Sequence, residues 1–86
     1  MNYTQAITYV NDVSPSLSEA HQLLTSEATD VLSNSASSAD QRWIAAQKFV
    51  TIYNENANLG PEYYDAADEI CKTVDPSKPN GFTRPR

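Results

Sequence analysis

Apolar residues recur along much of this chain at helical spacing. The clearest run is Ala39 to Leu59, ADQRWIAAQKFVTIYNENANL. Ala39, Trp43, Ala46, Val50, Tyr53 and Ala57 step alternately by four and three residues, which lines them up on one side of an α-helix. Ala45, Phe49 and Ile52 lie beside that stripe and widen it to roughly half the helix circumference. A surface helix needs a narrower stripe, so this one is expected to pack against neighbours on two sides or against a second subunit.

The flanking segments carry weaker forms of the same pattern. Tyr3, Ala6, Ile7 and Val10 predict a short first helix over 2–13 with Asn2 as its cap, the rival being a strand through Ile7–Val10 that has no partner later in the chain. A second helix is expected from residue 15 or 16 to about 33. Its start is signalled either by Pro15 after a Ser14 cap or by a Ser16–Glu19 capping box. Its apolar set is Leu17, Ala20, Leu24, Ala28 and Val31, with Leu23 and Leu32 alongside. The polar stretch Ser33–Ser38 connects antiparallel helices, and Ser38 with Gln41 forms a capping box for the central one.

The central helix is read as ending at Asn58-Leu59-Gly60-Pro61, with Gly60 in a left-handed stop and Pro61 opening a last helix to about Val74. Tyr63, Ala66, Ala67, Ile70 and Val74 form the buried stripe of that helix. Asp75-Pro76 stops it. The remainder, with Pro79, Gly81 and Pro85, reads as an extended, flexible tail anchored only by Phe82. The expected fold is all-α: a small bundle of three to four helices over 1–74 with an extended C-terminal tail over 75–86. The core is expected around Trp43, Phe49, Tyr53, Leu24, Val31 and Ile70.

Charge sharpens this picture. The formal net charge is −5, with a balance of −7 over residues 1–74 and +2 over residues 75–86. An acidic body argues against direct nucleic-acid binding, which needs a cationic face. No run approaches the roughly 18 apolar residues of a membrane span. The opening MNYTQAITYVNDV lacks the basic and apolar regions of a signal peptide, so the expected location is cytoplasmic. Cys71 and His21 are each the only residue of their kind, which leaves no intrachain disulfide and no zinc set. No cofactor motif is present.

Candidate chemistry is sparse. His21 lies beside an apolar stripe with no argued catalytic partner, and a boundary or surface role is expected. Cys71 sits near a helix C-terminus, the wrong end to lower a thiol pKa, and is read as a small semi-buried hydrophobe. The densest cluster is acidic: Glu62, Asp65, Asp68 and Glu69, with Tyr64 expected to be exposed beside them and Tyr63 in the core. Cation binding would need a shell of oxygens from a loop. Two other readings stand: an ordinary solvated face, or an anionic docking face with Tyr64 as an aromatic anchor.

In acidity, length, the Tyr63-Tyr64 pair and the closing Asn80-Gly81-Phe82, the chain loosely resembles immunity proteins of nuclease bacteriocins. Those are small acidic helical inhibitors that cover a basic nuclease. The chain departs from them where its tyrosine pair opens a long helix instead of a short helix followed by an acidic loop, so membership does not follow. Separately, Arg42-Trp43-Ile44-Ala45 faintly resembles small phage-encoded helical proteins that sequester cyclic nucleotides, over four residues only.

The expected function is therefore a non-enzymatic protein-binding module, an inhibitor, immunity or accessory factor. It would dock Glu62, Tyr64, Asp65, Asp68 and Glu69 on a larger, basic protein. The alternatives are an oligomeric small-ligand, nucleotide-type binder or sponge using Arg42 and Trp43, and a small structural or assembly protein. The breadth of the central stripe makes a homo-oligomer plausible.

Overall fold

A computed structural model describes all 86 residues, Met1–Arg86. The chain forms four α-helices in the order α1 (Tyr3–Val13), α2 (Glu19–Ser33), α3 (Ala39–Glu55) and α4 (Pro61–Val74), with a one-turn 3₁₀ helix at Ser14–Ser16 between the first two. There is no strand. No helix is long and apolar enough to cross a membrane.

Local chemistry sets the helix starts. Asn2 and Gln5 bond reciprocally at 2.8 and 2.9 Å to form a capping box before α1. Ser38 and Gln41 do the same before α3, at 3.1 and 2.7 Å, as the spacing predicts. Pro61 opens α4 with its missing N–H at a position that needs none, and Glu62 follows in the first turn, where it favours the helix dipole.

The second helix starts later than expected, at Glu19. Pro15 sits in the 3₁₀ turn, and Ser16 donates its hydroxyl to the Val13 carbonyl at 2.7 Å instead of capping. Leu17 is extended (φ −92°, ψ 169°) and 8% exposed. Placing that side chain in the core forces the chain out of helical geometry, and Ser18 becomes the cap. Ala20 and Leu23 of the expected stripe are exposed, whereas Thr25 is buried, its hydroxyl donated to the His21 carbonyl at 3.0 Å.

α3 carries the wide stripe, and the width is used on two sides. Ala45, Phe49 and Ile52 are fully buried alongside Ala46, Val50 and Tyr53, with α2 and α4 as the two neighbours. Both neighbours run antiparallel to it. Lys48 faces Glu27, and His21 Nε2 lies 3.0 Å from Glu55 Oε1 on the α2 side. Tyr53 meets Tyr64, and the Ala46 carbonyl meets Cys71, on the α4 side. α1 completes the bundle against α4 and closes lightly on α2. Phe49, Tyr53 and Ile70 are central, as expected, whereas Trp43, Leu24 and Val31 pack at the margin.

α3 ends earlier than expected, at Glu55. Asn56 is extended (φ −131°, ψ 94°), Ala57 is exposed, and Gly60 is extended at φ −97°, so no left-handed stop is made there. The reason lies at the far end of the chain. Arg84 donates Nε to the Tyr53 carbonyl at 3.1 Å and Nη2 to the Asn56 and Leu59 carbonyls at 2.8 and 2.7 Å. A guanidinium takes the place of the glycine stop. Arg42 performs the same task for α2, donating to the Leu32 and Asn34 carbonyls at 3.1 and 2.9 Å.

Candidate functional site

The α4 residues singled out by the sequence do share one side of the bundle, but they do not lie open. Residues 75–86 form no helix or strand, and they are held by more than the Phe82 anchor that the sequence reading expects. They lie along the groove between α3 and α4. Asp75 starts this course in an Asx turn, accepting from Ser77 N at 3.0 Å and Ser77 Oγ at 2.6 Å, which lowers its pKa. Lys78 Nζ then sits 5.4 Å from the centroid of the Trp43 ring.

Side-chain amides of α3 hold the backbone of the segment. Gln47 Nε2 donates to the Asn80 carbonyl at 2.9 Å. Asn54 donates to the Gly81 carbonyl at 3.2 Å and accepts from Thr83 N at 2.9 Å, bonding the segment much as a neighbouring strand would. Gly81 needs its freedom, because its φ is +85° and a Cβ there would stand 3.0 Å from Gln47 Oε1. The Tyr53 hydroxyl donates to the Pro85 carbonyl at 2.6 Å, and the Arg84 guanidinium lies 3.8 Å from the centroid of the same ring.

This segment determines what each predicted residue does. Tyr64 is not the exposed anchor that helical periodicity implies. It is half-buried, with its ring stacked on Phe82 at 3.9 Å between centroids and edge-on to Tyr53 at 5.4 Å. Asp65 accepts a two-pronged contact from Arg86, at 2.7 and 2.8 Å. That guanidinium holds the Asp65 carboxyl below the usual range. Asp68 accepts from Asn80 Nδ2 at 3.0 Å and pairs with Lys72 at 2.8 Å, so only 19% of its side chain remains exposed. Glu62 is exposed and Glu69 half-buried, and neither makes an ion pair. The structure thus splits the predicted set: Tyr64, Asp65 and Asp68 face the chain's own segment, and Glu62 and Glu69 remain unpaired.

The other candidates occupy structural settings. The His21–Glu55 pair ties the start of α2 to the end of α3, and His21 Nδ1 is buried without a partner. Cys71 is 2% exposed, bonded by Gln47 Nε2 at 3.6 Å, and burial pushes its thiol up to about 11. Tyr63 is fully buried with its hydroxyl unpartnered, and burial raises its pKa further. No three His, Cys, Asp or Glu side chains converge as metal ligands.

Sequence reasoning missed Gln47 and Asn54 as parts of this site; it named Phe82 as the anchor of the tail and the tail arginines as able to bind an acidic surface, without placing them on α3 and α4. One signal was present: a basic segment with one aromatic residue follows a body of opposite charge. No family model matches the chain, and no curated protein or solved structure matches it significantly.

Proposed function

We propose that the protein is a non-enzymatic binding module, an inhibitor, immunity or accessory factor that docks its acidic surface on a larger basic protein. The observation that carries this reading is the use of charge. Every cationic side chain is engaged within the molecule: Lys48, Lys72, Lys78 and Arg86 in ion pairs, Arg42 and Arg84 on backbone carbonyls. Asp12, Glu19, Asp30, Asp40, Glu62 and Glu69 have no ion-pair partner. The unneutralised surface is therefore anionic, and such a field favours a cationic partner and speeds its association.

The alternative, a nucleotide-type sponge, needs a free cation for the phosphate. Arg42, the residue that reading relied on, is held by the end of α2. The free thiol of Cys71 suits a reducing compartment such as the cytoplasm.

The test is a pull-down from the source cell with the wild-type chain and with Glu62→Lys/Glu69→Lys. These side chains make no ion pair, and the one cost of reversal is the lost dipole contact of Glu62 in the first turn of α4, so circular dichroism is used to verify that the bundle stays folded. A basic protein retained by the wild type, and released by the double variant or by moderate salt, is the expected result. Retention that ignores both changes would remove this surface from consideration.

A further inference from the structure

We infer that Phe82–Arg86 is a resident internal ligand of the α3/α4 groove. The docking partner would then be recognised by an extended segment of the same chemistry, an aromatic residue with an arginine four positions on. This inference rests on the reading of α4 as a protein-docking surface, and it adds what the partner presents and what holds the site closed.

The groove has the parts of a peptide site. Asn54 bonds the extended backbone on both sides of Phe82, and Tyr53 bonds it again at Pro85. Those contacts read the main chain and set no side chain, apart from the positive φ that calls for glycine at 81. Specificity comes from two others: the Tyr64 face stacked on Phe82 at 3.9 Å, and the Asp65 carboxylate matched to the fork of Arg86. Main-chain bonds plus selective contacts for particular side chains are how a groove recognises an extended segment.

The grip weakens outward. Arg84 is fixed by three carbonyls, whereas the Arg86 and Asp65 side chains are 61% and 41% exposed. An exposed pair holds weakly and is screened by salt. Opening is therefore easiest at the Asp65–Arg86 pair, and uncovering Tyr64 requires release of the three Arg84 bonds as well, after which an incoming arginine and aromatic ring can bind. A tethered segment competes at an effective concentration of roughly millimolar, so the site rejects weak ligands and yields to one that matches it more fully.

The experiment uses a fluorescein-labelled peptide of Asn80–Arg86, NGFTRPR, titrated by anisotropy into the full chain and into full-chain Arg86→Glu. Arg86 is exposed and the variant keeps the fold, which circular dichroism checks. The new carboxylate would repel Asp65 and loosen the resident segment, so the peptide is expected to bind the variant about tenfold more tightly than the wild type. Asp65→Lys/Arg86→Glu restores an opposite-charge pair with its polarity reversed, and is expected to return peptide affinity to the wild-type level or below. Equal binding to wild type and Arg86→Glu would overturn the inference. So would a wild-type dimer that the peptide dissolves, because a second copy would then supply the segment. If a basic partner binds while the peptide never does, the docking reading stands and this inference falls. If the peptide binds as expected and no basic protein does, the groove stands and the docking reading falls.

Discussion

At the scale of the residue, arginine takes over work usually left to glycine. Arg42 and Arg84 each direct a guanidinium at the carbonyls that end a helix, and Arg84 also lies on the Tyr53 ring. A planar group with five donors satisfies several carbonyls at once, which lysine cannot do. Arg84→Ala is expected to destabilise the fold by about 1.5–3 kcal/mol, the range for hydrogen bonds to a charged donor, and Arg84→Lys to recover less than half of that. Urea denaturation reads both. Cys71 gives a second expectation. Its thiol is raised from 9.0 to about 11 by burial, so the folded state holds the proton more tightly than the unfolded state does. The associated stability is whole below pH 9 and falls as pH rises from 9 to 11. Thiol labelling at about pH 8 is expected to proceed at the rate of opening, and to become fast only in denaturant.

At the scale of the element, most boundaries were legible: α1, α2 and α4 end at Val13, Ser33 and Val74 as expected, whereas the start of α2 and the end of α3 were not. Asn2, Ser38 with Gln41, and Pro61 act within three residues of themselves, so a window of sequence contains the whole interaction. The end of α3 depends on Arg84, which lies 25 to 31 residues from the carbonyls it binds. No local pattern contains such a pair. The same reason explains Tyr64: periodicity placed it outside the core stripe and exposed, because it could not show that Phe82 would lie on it. At the start of α2 two local signals competed, and the burial of Leu17, a tertiary event, favoured neither. Gly81 tests how far the groove depends on one backbone angle. Gly81→Ala places a Cβ at a positive φ and against Gln47, and is expected to cost about 1 kcal/mol or more, read as a lower Tm. Loss of the ring-current shifts between Phe82 and Tyr64 in NMR spectra would show that the segment, and not the bundle, has loosened.

At the scale of the whole molecule, two interactions of different strength hold the structure together. The bundle rests on buried apolar side chains, and truncating the fully buried Ile52 to Ala is expected to cost about 2–5 kcal/mol in a denaturant titration. The outer end of the 75–86 segment rests on charge. Asp65 has a folded pKa below its ordinary 3.8, so the Arg86 contact contributes fully above that value and is lost as pH falls through the lowered one. Acidification through that lowered value is therefore expected to free Arg86 before the helices melt. The Arg86 Nε–H resonance would report the first event and circular dichroism the second. The charge asymmetry between body and segment was visible in the sequence, and the structure shows where the two charges meet.

The distance between Arg84 and the helix end it binds also matters during synthesis. Arg84 is made after α3 and α4, because at least 25 residues separate it from the carbonyls it caps. At translation rates of about 5–20 residues per second, it is added on the order of seconds after the last turn of α3. The cap on that turn is therefore completed only when the 75–86 segment docks, which makes it a late step of folding.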